Sequence, residues 1–246
     1  MTDLVKSFTK HGVLHIELHR THKKNALTAE MYQGLTAALQ SAAVDDEVKV
    51  LFLKGGHDCF CAGNDIADFL DESVLDADGP IATFLHELAD VTKPMVAAVS
   101  GPAIGIGTTM LLHCDLVYAT NNTTFSLPFV NLGVCAEAGS SYLLSQQIGH
   151  IRAAELLLMG DAFGADKANE YGLINQIVDA DTYWEFAQAR AEALAKKPMQ
   201  ALLVNKRLMK PNQDQVHRVI DQEIAEFSKL LKTSEAKAIF KQFLGK

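Results

Sequence analysis

The chain has 246 residues, of which 48% are hydrophobic and 21% charged; this is the composition of a globular protein and excludes wholesale disorder. Its 22 basic and 30 acidic residues leave a net charge of −8, which argues against nucleic acid or an anionic membrane as the partner, because both select clustered positive charge. No apolar run reaches the ~18 residues of a membrane span, the opening MTDLVKSFTKHG lacks an apolar signal core, the closing Phe-Leu-Gly-Lys is neither a prenylation nor a peroxisomal signal, and a cytoplasmic protein is expected.

In chain order, Val13 to Leu18 alternates apolar and polar and reads as a half-buried strand, with Lys10-His11-Gly12 as a hairpin turn before it. Thr28 is a good N-cap for a helix from Ala29 to Ala43, with Met31, Leu35, Ala38 and Leu39 on one face. Val48 to Leu53 is a short apolar strand, and a helix is expected over Ile81–Ala89. Met95 to Val99 is wholly apolar and bounded by turn residues, as a strand covered on both faces would be. Gly101 to Gly107 reads as a glycine-rich loop, followed by a short apolar helix to His113 and a buried strand over Leu116–Ala119. The alternation predicts α/β layering with parallel pairing. After Pro128, helices are expected over Ala138–Gln147, Ile151–Leu158, Ala165–Glu170, Tyr183–Ala195, Gln200–Met209 and Gln213–Leu231, with Asn175–Val178 as the one strand. We divide the chain into a core over 1–195 and a helical region over 196–246 that packs on the core or on a neighbouring subunit.

Several familiar chemistries have no support. Cys59, Cys61, Cys114 and Cys135 include no C-x-x-C and no zinc-ligand spacing, so they read as reduced packing residues. Gly105-Ile106-Gly107 begins like a dinucleotide fingerprint, but Met110 stands at its third glycine. There is no G-x-S-x-G elbow. His113 and His150 lack carboxylate companions in sequence and read as packing or surface residues. Two stretches remain: Cys59 to Ile66 and Ser100 to Gly107, each placed after a strand and before a helix. Small residues let backbone N–H groups approach a ligand, and a helix N-terminus adds free donors. On spacing alone these are either two ordinary glycine turns or two halves of an oxyanion hole.

The chain resembles the crotonase (enoyl-CoA hydratase/isomerase) superfamily over nearly its whole length. The matching segments are Lys23-Lys24-Asn25-Ala26-Leu27, Phe60 to Asp65, Lys93 to Gly101, Cys114-Asp115-Leu116, Pro128 to Gly139, Ala154 to Leu157 with Gly160, and Tyr171 to Ile174. The resemblance implies an α/β fold, a crotonase-like spiral of ββα units with a helical C-terminal trimerisation region, assembled as a homotrimer or hexamer. It implies an acyl-CoA thioester substrate and no separate cofactor or metal, CoA arriving as part of the substrate. The oxyanion donors would be the backbone N–H groups of Asn64 and Ile106, so that the Asn64 side chain should matter less than its amide. Lys24, Asn25, Ala26 and Leu27 together with Ala62, Gly63, Asn64, Asp65 and Ile66 would line the CoA path by their main chain, and Gly105 and Phe129 would complete the acyl site.

The two glutamates of the family's hydratases correspond here to Thr109 and Phe129, whereas Ala136-Glu137-Ala138-Gly139-Ser140-Ser141 resembles the base-bearing segment of peroxisomal-type Δ3,Δ2-enoyl-CoA isomerases, with Ala136 and Ala138 for that group's Pro and Gly. The expected activity is therefore transfer of a double bond from 3- to 2-enoyl-CoA in fatty-acid β-oxidation, with Glu137 as the base and Leu127 and Phe129 as an apolar wall. A second carboxylate, for which Asp68 and Asp71 are the candidates, would favour instead a hydratase, dienoyl-CoA isomerase or thioesterase. A CoA-thioester binder without turnover is the alternative outside catalysis.

Overall fold

A computed structural model describes residues 3–66 and 78–243; Asp68 and Asp71 lie outside the described residues. Strands β1 (Val5–Lys10) and β2 (Val13–Leu18) form an antiparallel hairpin through His11 and Gly12. Strands β3 (Val50–Lys54), β4 (Met95–Val99), β6 (Leu116–Thr120) and β9 (Gln176–Val178) extend it in parallel, in the order β1-β2-β3-β4-β6-β9. The expected parallel α/β layering is present.

Strand alternation divides the core. Leu51 and Leu53 of β3 with Met95, Ala97 and Val99 of β4 face α1 (Ala29–Val44) and α2 (Pro80–Ala89). Val50 and Phe52 with Val96 and Ala98 face α7 (Tyr183–Ala195), which offers Tyr183, Ala187, Ala191 and Ala195. Small residues every fourth position on α7 let it lie close to the sheet. Because helices cover both faces, β2 is not half-buried as its alternation suggests: His15 is sealed between Phe8, on which it stacks, and the edge of Phe52. Burial, with Lys54 nearby, holds its pKa below the usual histidine value.

The stretch read as a glycine-rich loop contains β5 (Pro102–Ile104), which pairs in parallel with β7 (Thr124–Ser126); β7 pairs in turn with the two-residue β8 (Phe163–Gly164). These strands are too short to show a period. Two further bridges, Leu27 with Asn64 and Cys61 with Ala103, continue this second ladder toward the site. Close packing demands glycine here: a Cβ at Gly107 would sit 2.6 Å from the Cys61 carbonyl oxygen. The short helix α3 (Ile106–Thr109) follows and runs into a 3-10 turn over Met110–His113.

The remaining helices are α4 (Ser140–Ile148), α5 (His150–Ala154), α6 (Ala165–Tyr171), α8 (Met199–Met209), α9 (Gln213–Leu231) and α10 (Ser234–Phe243). α4 begins two residues later than expected because Ala138 and Gly139 both have positive φ, 60° and 71°. α5 is shorter than expected and passes into a π-turn over Glu155–Met159. α9 lies on α2 and α4, and α10 lies on α9. α8 is pinned by one buried side chain: Lys206 donates to Asp115 Oδ2 at 2.7 Å and to the Lys93 carbonyl at 2.8 Å. Asp115 Oδ2 also accepts from the Met95 amide at the start of β4, at 2.8 Å.

Removing one partner of a buried ion pair strands the other and costs about 3–5 kcal/mol. Lys206→Met is therefore expected to lower the melting temperature by roughly 6–20 °C for a chain of this size. A fall of under 2 °C in a thermal melt would show that this pair does not hold α8 to the core.

Candidate active site

Three segments meet at the end of the second ladder. The first, residues 24–27, is shaped by left-handed backbone at Lys24 and Asn25, with φ of 52° and 54°. Asn25 is fully buried; its Oδ1 accepts from the Arg20 amide at 2.8 Å and its Nδ2 donates to the carbonyls of Cys59 and Phe60 at 3.2 and 3.1 Å. The second segment, residues 61–66, is tied to the first by Ala62 N–H to Lys24 O at 3.0 Å, Leu27 N–H to Gly63 O at 2.8 Å and Asp65 N–H to Leu27 O at 2.8 Å. Arg20 adds an ion pair to Asp65 at 2.8 Å. Asn25 and Leu27 are thus buried, with their polar groups spent on joining the loops, while Lys24, Ala26, Ala62, Asn64, Asp65 and Ile66 retain accessible surface.

The third segment, residues 102–107, is joined to the second by Cys61 N–H to Pro102 O at 3.1 Å and Ile104 N–H to Cys61 O at 2.9 Å. Gly63 and Gly105 turn the two chains, with φ of 95° and 54°. Asn64 and Ile106 each follow the Cys61–Ala103 bridge by three residues. Among the described residues neither the Asn64 nor the Ile106 backbone N–H has a backbone acceptor. Two free amides thus follow a shared bridge at equal distance along neighbouring chains.

Glu137 is brought to Asn64 from the loop before α4. Only 6% of its surface is exposed; Asn64 Nδ2 donates to its Oε2 at 3.5 Å, and among the described residues its buried Oε1 has no partner. Burial first, and then the charge of Glu223, push the Glu137 carboxyl up to about 8, with the Asn64 amide pulling the other way. Glu223 reaches this loop from α9. Its Oε2 accepts from Gly139 N–H at 2.6 Å, and its Oε1 accepts from Ser141 N–H at 2.9 Å and Ser141 Oγ at 2.5 Å. On the other side His113 Nε2 donates to the Ala138 carbonyl at 2.8 Å. Burial lowers the His113 pKa to about 4, so it is a neutral, fixed donor.

A buried carboxylic group of high proton affinity beside two free amides fits proton transfer next to a developing oxyanion. The sequence profile of the enoyl-CoA hydratase/isomerase family matches residues 9–246. The chain belongs to that family. It is 35% identical over 219 residues to enoyl-CoA delta isomerase 2 of Rattus norvegicus, covering 86% of this chain but 56% of that protein, so it spans little more than half of that relative. It is 32% identical over 209 residues to 1,2-epoxyphenylacetyl-CoA isomerase of Escherichia coli, covering 80% of this chain and 78% of that one. Among solved structures, Pseudomonas aeruginosa OdaA superposes with a TM-score of 0.96 and 41% identity over the whole of both chains.

Within this crotonase fold the two positions that the resemblance aligns with the hydratase glutamates carry no carboxylate. Thr109 is fully buried with an unpartnered hydroxyl. Phe129 is buried, its ring 4.0 Å from where a Cβ on Gly105 would stand. Two residues that the sequence did not single out belong to the site. Glu223 lies 86 residues from Glu137 on an amphipathic helix, and nothing in its spacing marks its role. Tyr32 was hidden in the apolar face of α1; its hydroxyl donates to Asn64 Oδ1 at 2.5 Å. The Asn64 side chain, expected to matter less than its amide, therefore links two elements of the site.

Ala138 occupies a left-handed conformation that costs a side-chain-bearing residue about 1–2 kcal/mol. Ala138→Gly should leave stability within about 1 kcal/mol of wild type, because relief of that strain offsets the flexibility glycine adds to the unfolded chain. Ala138→Val adds a branched side chain to the same buried site and should destabilise by more than about 2 kcal/mol. Denaturant midpoints of the two variants check the pair; equal stability for both would contradict the strained turn.

Proposed function

We propose that the protein is a Δ3,Δ2-enoyl-CoA isomerase, which moves a double bond from the 3- to the 2-position of an acyl-CoA. The observation that carries this reading is the carboxyl group available among the described residues: Glu137 has an unpartnered buried oxygen, while both oxygens of Glu223 are committed to Gly139 and Ser141. Hydration needs one group to activate water and another to manage the proton at C2. Transposition of a double bond needs one base that serves two carbons.

In this mechanism the thioester oxygen lies between the N–H groups of Asn64 and Ile106. Glu137 takes the C2 proton, the C2–H electron pair enters the dienolate, and negative charge grows on the thioester oxygen where the two amides stabilise it. The same carboxylic acid returns the proton to C4, and the electrons of the oxyanion re-form the thioester carbonyl. Leu127 and Phe129 keep water from the dienolate. CoA enters with the substrate, along the accessible main chain of residues 24–26 and 62–66, and no metal or further cofactor takes part. Exposed apolar side chains at Ile151, Leu158 and Met159, and at Leu208 and Met209 of α8, support assembly as a homotrimer or hexamer.

Product analysis with 3-hexenoyl-CoA and 2-hexenoyl-CoA side by side tests the assignment. Double-bond migration is expected to exceed water addition by a wide margin, and hydration at an equal rate would overturn it. Glu137→Gln keeps the shape and removes the base, which typically costs ~10²–10⁴ in rate; a variant within a few-fold of wild type would remove Glu137 from the mechanism.

The pH dependence has a definite sign. The base is the carboxylate, and its pKa of about 8 leaves the acid form dominant at neutral pH. kcat/KM should therefore climb from pH 6 to 9, with its midpoint near 8. The stability effect is opposite: a carboxyl whose pKa is raised in the folded state destabilises as pH climbs from its unfolded value to its folded one. The melting temperature of Glu137→Gln should equal that of wild type near pH 4.5 and exceed it progressively up to pH 8. A constant difference across that range would show that Glu137 does not titrate as a buried acid.

A further inference from the structure

Tyr32 has no place in the reaction described above, yet its hydroxyl meets the Asn64 side chain at 2.5 Å from 32 residues away, and that side chain meets Glu137. The phenol is buried on α1, its ring packed against Phe84 at 5.3 Å between centroids. Burial, with the Glu137 charge adding to it, keeps the Tyr32 pKa well above the usual tyrosine value, so it remains a protonated donor. The amide stands with Oδ1 toward the phenol and Nδ2 toward Glu137; a phenol can donate or accept whereas an ionised carboxylate only accepts, so the phenol's O–H donating to Oδ1 is what leaves Nδ2 for the carboxylate. The reversed amide would set its oxygen against Oε2, which suits only the protonated acid. With Oε2 occupied by Nδ2, the unpartnered Oε1 is the oxygen left to exchange a proton with substrate.

We propose that Tyr32 is a positioning residue that locks the Asn64 amide as a donor to Glu137 Oε2, so that Oε1 carries the proton between C2 and C4 and the carboxylate form is favoured. The assignment of Oε1 rests on the isomerase reading; the Tyr32–Asn64–Glu137 relay does not. Among the described residues, the other titratable groups whose charge acts on this cluster are Cys61 from the second segment, Cys135 from the loop before α4 and Glu223 from α9. Burial pushes the Cys61 thiol up to about 12 and the Cys135 thiol up to about 11. Both thiols therefore stay neutral while Glu137 titrates.

The test reads Glu137 directly, without substrate. In protein labelled with ¹³C-glutamate, the Glu137 carboxyl carbon is the resonance lost in Glu137→Gln, and its titration midpoint is followed in wild type, Tyr32→Phe, Asn64→Ala and the double variant. Tyr32→Phe and Asn64→Ala should each raise the midpoint, and the double variant should raise it no further than Asn64→Ala alone. A one-unit rise corresponds to about tenfold less carboxylate below the midpoint, so kcat of Tyr32→Phe at pH 7 should fall about tenfold with KM little changed and recover at high pH. An unmoved midpoint in Tyr32→Phe or in Asn64→Ala overturns the proposal. So does a Tyr32→Phe shift that persists in the Asn64→Ala background, since Tyr32 would then act through packing alone. If the midpoints move as expected but no variant isomerises 3-hexenoyl-CoA, the relay stands and the isomerase reading fails.

Discussion

Glu137 is held with one carboxyl oxygen out of reach of any described donor, and taking a carboxylate out of water costs several kcal/mol unless partners replace the hydration. The surrounding structure supplies few. One long contact from Asn64 reaches Oε2, and the charge of Glu223 adds repulsion. What stabilises the resting state is therefore the proton itself. The loop must accordingly be held largely from elsewhere, because its central side chain, when ionised, has only the one long contact from Asn64 to keep it in place. Glu223 does this by accepting from Gly139 and Ser141, and His113 does it by donating to the carbonyl of Ala138.

The same division of labour holds on the oxyanion side. Among the described residues, the amides proposed to take part in the reaction make no backbone bonds, and the bonds that position them are made by their neighbours: Leu27 to Gly63, Asp65 to Leu27, Ile104 to Cys61. Asn25 secures the arrangement from below through three hydrogen bonds from a fully buried side chain. Backbone donors carry no side-chain entropy and need no reorganisation as charge develops. Glycine at 63, 105 and 107 supplies the turns and the contact distances this requires.

The large elements were legible in the sequence because their signals are local. Thr28 caps α1 through the Met31 amide, and α7 and α9 have the bounds their periodicity predicts. β5, β7 and β8 were not legible, since strands of two or three residues have no measurable alternation and owe their form to pairing across more than 20 residues. His15 was misplaced because α7 closes a face that alternation alone leaves open. Glu137 could be found by resemblance, whereas Tyr32 and Glu223 could not, because a tyrosine on an apolar helix face and a glutamate on an amphipathic one both look like ordinary packing. Their contacts depend on which helices are neighbours, a property of the fold as a whole.

The second ladder also acts as a ruler. Adjacent strands stand about 4.8 Å apart, roughly the separation at which two amides can both reach one oxygen. Asn64 and Ile106 sit in equivalent places beyond the Cys61–Ala103 bridge, so their gap follows from sheet geometry more than from the identity of any side chain. Apart from Gly63 and Gly105, whose positive φ the turns require, such a site should drift in sequence while being intolerant of length: exchanging the other side chains along either segment leaves the gap alone, whereas one residue gained or lost between the bridge and the amide turns a donor away. Over evolutionary time, diversity around the proposed oxyanion hole should accumulate as substitutions, with insertions and deletions pushed outside the two three-residue spans.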